Sequence, residues 1–169
     1  KQGDTMKALV TLVMLLLWSP SLLAASNKCQ SQSHRAFDFW LGEWQVTTQA
    51  DNIIRHSKIS LINDGCTLLE EYQTPSGYSG KSLNIYDKQS GKWHQTWTDN
   101  SGLLLLLNGE KQGNKMILTG NLMQNGQQVE QRITWSDNPD GTVRQHWQSR
   151  KSESKNWQTL FDGIYKKAR

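Results

Sequence analysis

Apolar and polar residues alternate along most of the chain from Gly42 onward, in short stretches separated by turn-forming residues. Alternation with a period of two is typical of β-strands that are buried on one face. The separating clusters are of the kind that close hairpins, among them Asn63-Asp64-Gly65, Asn108-Gly109, Gly113-Asn114 and Asn125-Gly126. A helical period is nearly absent. The pattern therefore predicts about ten short strands joined mostly by hairpins.

A sheet of hairpin-linked strands leaves two exposed edges unless it closes on itself. An up-and-down barrel removes both edges and encloses a space that a small molecule can occupy. The sequence therefore predicts an all-β, antiparallel up-and-down barrel as a single domain over residues 26–169. A two-sheet sandwich gives the same alternation and stays an alternative. The aromatics of the segment 37–44 are spaced like one helical turn, which predicts a short N-terminal turn that plugs one end of the barrel.

The first residues have the composition of a signal peptide. Lys7 precedes an apolar run from Ala8 to Trp18, and small residues follow up to Ala25. We interpret residues 1–25 as upstream residues and a signal peptide, cleaved after Ala25. The apolar run is shorter than the ~20 residues of a membrane-spanning helix, so no stable membrane anchor is expected after cleavage. The predicted location is periplasmic or secreted.

Export changes the meaning of the two cysteines, Cys29 and Cys66. An oxidising compartment favours a disulfide, whereas a cytosolic one favours a thiol or a metal site. We therefore expect the two to be bridged, which is worth roughly 3 to 4 kcal/mol in the chain-entropy model. A lipid anchor on Cys29 is the rival interpretation, but Ser26-Asn27-Lys28 before it lacks the small apolar residues of a lipid-attachment site.

Three of the predicted strands carry the same inward pattern of large apolar side chains with one glutamine. The candidate ligand-binding residues on this inner face are Trp93, Gln95, Trp97, Gln131, Trp135, Gln145 and Trp147. An unpaired buried amide costs roughly 1 to 3 kcal/mol, so each glutamine needs a partner, which can be another glutamine, water or a ligand. Indoles and amides together suit a flat, partly polar guest. The alternative is a solidly packed barrel whose glutamines join a structural network with buried water.

Other kinds of chemistry find little support in the sequence. The net charge of +4 is spread along the chain without a basic run, so no nucleic-acid partner is expected. The four histidines show no metal-binding spacing, and no metal or cofactor is predicted. A haem held by His146 is a weaker alternative, because the alternation points this side chain outward.

An enzyme remains the second alternative, although no catalytic residue is assigned. The available carboxylates are Glu70, Asp87, Asp99 and Asp162. Asp99 ends a tryptophan-rich strand at the predicted rim, where it can act as a general base beside His94. An aspartate at this position is also the ordinary cap of the turn Asn100-Ser101-Gly102. Glu70 and the adjacent Glu71 face opposite sides of a strand, so they are not a catalytic pair.

Several motifs also resemble known proteins. Gly42-x-Trp44 resembles the opening signature of lipocalins and related calycin barrels, in which the tryptophan packs across the barrel floor. The chain is also similar to an uncharacterised family of exported bacterial proteins. The motifs that carry this resemblance are FDFWLGEW at 37–44, Gly65-Cys66, the tryptophan motif at 93–102 and the FDGxY motif at 161–165. The resemblance implies an extracytoplasmic location and a calycin-like barrel, and it implies no activity.

The sequence as a whole thus predicts an extracytoplasmic, lipocalin-like protein that binds a small, partly apolar organic ligand inside the barrel. The alternatives are a hydrolase or isomerase that uses the rim carboxylates, and a structural or protein-interaction module with a filled core. Ligand identity and oligomeric state are not fixed by the residue pattern.

Overall fold

The structure is a computed structural model that describes residues 28–51, 53–151 and 154–168. The predicted signal peptide and its cleavage site lie outside these residues. The strands of the described part are β1 (Gly42–Thr48), β2 (Arg55–Ile62), β3 (Thr67–Gln73), β4 (Ser79–Asp87), β5 (Lys92–Asp99), β6 (Leu104–Gln112), β7 (Lys115–Gln124), β8 (Gln127–Asp137), β9 (Val143–Lys151) and β10 (Gln158–Lys167). Two short 3-10 helices, Asp38–Trp40 and Asn63–Gly65, accompany them.

The ten strands form one closed antiparallel barrel. Each strand pairs with the next in the chain, and β10 returns to pair with β1, for example at Val46 and Tyr165. Closure leaves no edge in the ladder. The predicted up-and-down barrel is therefore confirmed, and the sandwich alternative is wrong.

The prediction of a turn at Asn108-Gly109 is wrong, because β6 continues through both residues to Gln112 and turns only at Gly113-Asn114. Gly109 does not have the positive φ of a turn glycine. A Cβ placed on it would lie 2.0 Å from the carbonyl oxygen of Ile117 on β7. The glycine is present because the neighbouring backbone approaches closely, and not because the chain reverses there.

An aromatic plug closes one end of the barrel, as the segment 37–44 predicts. Phe37 and Trp40, at the 3-10 helix Asp38–Trp40, are fully buried and stack at a ring distance of 5.1 Å. Phe37 also meets Trp93 and Trp135 edge-on, at 5.5 and 5.2 Å. This end of the barrel interior is therefore filled by aromatic rings and is called the plugged end below.

The Gly42-x-Trp44 motif lies beside this plug. The Trp44 indole is buried, donates to the Trp40 carbonyl oxygen at 2.9 Å and meets the Tyr165 ring edge-on. Lys167 lies over its face at 3.8 Å from the ring centroid. The tryptophan thus packs beside the plug at this end of the barrel.

Covalent and polar contacts hold the plug in place. Cys29 and Cys66 form a disulfide between the segment before the plug and the start of β3, as predicted. Arg35 binds the Asp38 carboxylate through two hydrogen bonds of 2.6 Å and donates to the Gly65 carbonyl oxygen at 2.8 Å.

None of the helices in the described ranges is long and apolar enough to span a membrane.

Candidate functional site

The opposite end of the barrel, where β1 joins β2, β3 joins β4 and β9 joins β10, is called the open end below. A cavity of about 160 Å³ lies inside the barrel toward this end. Its wall consists of Glu70, Tyr72, Tyr78, Gln95, Trp97, Leu105, Ile133, Gln145, Trp147, Leu160, Phe161 and Tyr165. An apolar protein cavity of about 150 Å³ accommodates benzene, so the space matches a single ring.

A β-bulge shapes the edge of this cavity. Thr159 pairs with Gln148 and Phe161 pairs with Trp147, which leaves Leu160 as the extra residue of β10. Bulges redirect side chains near sheet ends and sites. Here the bulge lets two consecutive residues, Leu160 and Phe161, both contribute to the wall. Leu160 is half exposed, so the cavity extends to the rim of the barrel.

A row of buried polar side chains crosses the wall from β2 to β5. Glu70 on β3 is 2 % exposed and accepts hydrogen bonds from Ser57 at 3.2 Å and from Ser82 at 2.9 Å. Asn84 donates to Ser82 at 2.9 Å, and Gln95 donates to Asn84 at 2.9 Å. All five residues are at most 2 % exposed. The row therefore connects the Glu70 carboxyl to the Gln95 amide inside the barrel.

The Glu70 carboxyl has an unusual acidity because of this position. Burial raises its pKa to about 7, although the hydrogen bonds from Ser82 and Ser57 favour the charged form. Removal of a carboxylate from water disfavours its ionised state, and this effect exceeds the gain from two neutral donors. Glu70 consequently exchanges a proton near neutral pH. It is the one carboxyl group in the described wall of the cavity.

The Gln95 carbonyl oxygen lacks a hydrogen-bond partner within the described residues. The network fixes its orientation, because the Asn84 amide nitrogen donates to the Leu68 carbonyl oxygen at 3.3 Å. Asn84 therefore presents its own oxygen to Gln95, whose nitrogen must face it. The oxygen of Gln95 is left over on a side chain that is 2 % exposed and belongs to the cavity wall.

Most hydrogen-bond donors of the wall are already engaged. Trp147 donates to the Gln131 oxygen at 2.8 Å, and Tyr165 donates to the Gln145 oxygen. Tyr78 donates to Asp99 at 2.8 Å, and the Trp97 indole donates to the same carboxylate at 3.3 Å. These four donors are therefore engaged within the protein.

The seven predicted ligand-binding residues divide between the two ends. Gln95, Trp97, Gln145 and Trp147 belong to the cavity wall. Trp93 and Trp135 instead pack against the plug, where the Trp93 indole donates to the Ser33 carbonyl oxygen at 3.1 Å.

Gln131 is the remaining member of the seven. It is 2 % exposed and holds the Trp147 indole from behind the cavity wall. The three predicted glutamines therefore find separate partners, and no hydrogen bond joins one of them to another among the described residues.

Sequence reasoning missed Ser57, Ser82 and Asn84 as site residues, and it named Glu70 only as a carboxylate available to an enzyme. The available signal was alternation in β3, where Leu68, Glu70 and Tyr72 share the inward face. An acidic residue between two inward apolar residues marks a buried carboxyl. The hydroxyls that meet it come from neighbouring strands, so their approach depends on a register that the sequence pattern does not fix.

The other carboxylates serve surface turns and ion pairs. Although burial alone would raise the pKa of Asp99, hydrogen bonds from Ser101, Tyr78 and the backbone lower it to about 2. Asp99 thus caps its turn and is a weak base at neutral pH. His94 lies on the outer face, where it bonds to Asn108 and Thr96 and does not meet Asp99. Asp162 pairs with Arg144 outside the barrel at 2.7 Å.

Histidines do not combine into a metal site in the part of the chain that the structure describes, where no three histidine, cysteine, aspartate or glutamate side chains are grouped. His146 contacts Thr159 on the outer surface at 3.0 Å.

Comparison of the chain with protein-family models finds no match, and comparison with curated proteins also finds none.

Proposed function

We propose that this protein binds a small, partly apolar organic molecule in the cavity at the open end of its lipocalin-like barrel. The observation that carries the proposal is a cavity of about 160 Å³ inside the barrel, whose wall combines aromatic rings with the buried side chains of Glu70 and Gln95. A solidly packed barrel would leave no such space. Trp97 and Trp147 supply flat apolar surface around the same space.

The location that fits this function is periplasmic or secreted. The Cys29–Cys66 disulfide supports it, because such bonds persist in oxidising compartments. A thiol count on protein purified from its native host tests it: we expect no free thiol, and two free thiols would contradict an oxidising location.

A matched pair of leucines on β6 tests the binding function. Leu105 is 1 % exposed and lines the cavity, whereas Leu106 is 46 % exposed on the outer face. We expect native mass spectrometry of the protein from its own host to show a bound small molecule, which is lost in Leu105→Phe because the added ring occupies the cavity. Leu106→Phe should retain it. A wild-type protein without bound mass, or equal retention by both variants, would overturn the proposal.

A further inference from the structure

Glu70 is the group that most restricts the chemistry of the guest. It is the one described wall residue able to carry a full charge near neutral pH, because the other titratable wall residues are Tyr72, Tyr78 and Tyr165. Burial is the largest influence on each of these phenols: it raises the pKa of Tyr72 to about 12 and also raises the pKa of Tyr78 and of Tyr165 well above the ordinary value. The tyrosines therefore stay neutral.

No cationic side chain in the described ranges forms an ion pair with Glu70. Lys58 and Lys81, on the two strands that flank it, lie on the outer face and pair with Glu43 and Glu71. Arg55 pairs with Asp51 at 2.7 Å. A buried carboxylate without a counter-ion is unfavourable by several kcal/mol, and an ion that enters the cavity relieves this cost.

We propose that the guest is a protonated amine on a small ring, with its ammonium group at Glu70 and its ring against Trp97 and Trp147. This inference depends on the proposed binding function and specifies its ligand class. Ser57 and Ser82 each donate one hydrogen bond to Glu70, at 3.2 and 2.9 Å. A carboxylate has about four acceptor sites, so Glu70 can accept a further donor from an ammonium group.

The aromatic wall favours the same ligand class. Tyr72, Trp97, Trp147, Phe161 and Tyr165 line the same cavity as Glu70. The faces of aromatic rings attract cations, and the attraction strengthens when water is excluded. A carboxylate guest would meet the like charge of Glu70 and is disfavoured. A neutral alcohol of the same shape keeps the ring contacts but loses the charge-assisted hydrogen bond.

Three isosteric probes test the inference by calorimetry at about pH 8, where Glu70 is ionised. They are benzylamine, benzyl alcohol and benzoate. We expect the wild type to bind benzylamine roughly tenfold or more tightly than benzyl alcohol, and benzoate most weakly. Glu70→Gln should remove the preference for the amine while it keeps the affinity for the alcohol. Glu71→Gln is the matched control, because its side chain lies outside the barrel, and it should behave as the wild type.

The outcomes separate this inference from the proposed function. Tighter binding of benzyl alcohol or benzoate than of benzylamine overturns the amine assignment and leaves the binding function standing. Retention of the amine preference in Glu70→Gln also overturns it. Binding of none of the probes contradicts both proposals.

Proton release on the wild type provides a measurement that needs no variant. A cation beside Glu70 favours its ionised form and so lowers its pKa. Benzylamine binding near pH 7 should therefore release up to about half a proton per site, measured by calorimetry in buffers of different ionisation enthalpy. The facing groups are Ser57, Ser82 and Gln95, which do not titrate, and Tyr72 and Tyr165, which stay neutral. Absence of proton release would rule out an ammonium at Glu70.

Discussion

Glu70 and Glu71 are adjacent in the chain but occupy opposite environments. Glu70 lies inside the barrel, where burial raises its pKa to about 7. Glu71 lies outside, where a hydrogen bond of 2.8 Å from Lys81 lowers its pKa. The difference follows from the pleat of β3, which directs successive side chains to opposite faces.

This contrast predicts how the stability of the barrel depends on pH. The folded pKa of Glu70, about 7, exceeds its ordinary value of 4.5, so the folded state holds this proton more tightly. The resulting stabilisation is fully present below about pH 4.5 and is lost as pH rises through about 7. The loss is about 3 kcal/mol at most. Urea unfolding of the wild type between about pH 5 and 8 should show this decline.

Two variants isolate the contribution of Glu70 to that decline. Glu70→Gln should remove most of the slope and be more stable than the wild type at about pH 8, because a neutral amide replaces a buried charge. Glu71→Gln should keep the slope, since the residue is outside. An unchanged slope in Glu70→Gln would show that another group carries the pH dependence.

At the scale of strands, the contact between β6 and β7 depends on the absence of a side chain at Gly109. A Cβ there would overlap the Ile117 carbonyl oxygen, and backbone atoms cannot move aside as a flexible side chain does. Gly109→Ala should therefore lower the free energy of unfolding by about 2 kcal/mol or more. Denaturant unfolding measures the change.

Gly113 is the matched control for this substitution. It lies in the turn after β6 with a φ of 60°, and a Cβ there would meet nothing within 4 Å. Gly113→Ala should cost only about 1 kcal/mol, from its left-handed backbone. A larger loss at Gly113 than at Gly109 would contradict the close approach between β6 and β7.

The sequence pattern determines which side chains face the barrel interior, but it does not determine every turn or bulge. Alternation correctly places all seven candidate residues inside the barrel, because facing depends only on local pleating. It misplaces the turn at Asn108-Gly109, because the pairing with β7 outweighs the local turn signal. It also gives no indication of the bulge at Leu160, which depends on the register between β9 and β10.

At the scale of the whole barrel, the interior is filled at one end and hollow at the other. The order of inward residues in the sequence shows that tryptophans enter the barrel, but not at which end each one lies. That depends on how the plug occupies the floor, where Trp93 and Trp135 meet Phe37. The assignment of these two tryptophans to the plug and of Trp97 and Trp147 to the cavity therefore needs coordinates.

The Cys29–Cys66 disulfide helps to hold the plug at its end of the barrel, but packing and hydrogen bonds hold the plug as well. The residues it joins are 37 positions apart, so its removal should lower the free energy of unfolding by roughly 3 to 4 kcal/mol. In a Cys29→Ala, Cys66→Ala double variant the plug keeps the buried rings of Phe37 and Trp40 and the bond from Trp93 to Ser33. We expect a folded barrel with unchanged near-ultraviolet circular dichroism. Loss of that signal would show that the covalent link alone retains the plug.

The pairing of β10 with β1 joins barrel closure to the completion of the cavity. β10 supplies Phe161 and Tyr165 to the cavity wall, and it is the strand whose pairing with β1 closes the barrel. Without β10, the sheet would be open, with unpaired strand edges at β9 and β1 and an incomplete cavity wall. The cavity that the proposed guest would occupy is therefore complete only when β10 has paired with β1.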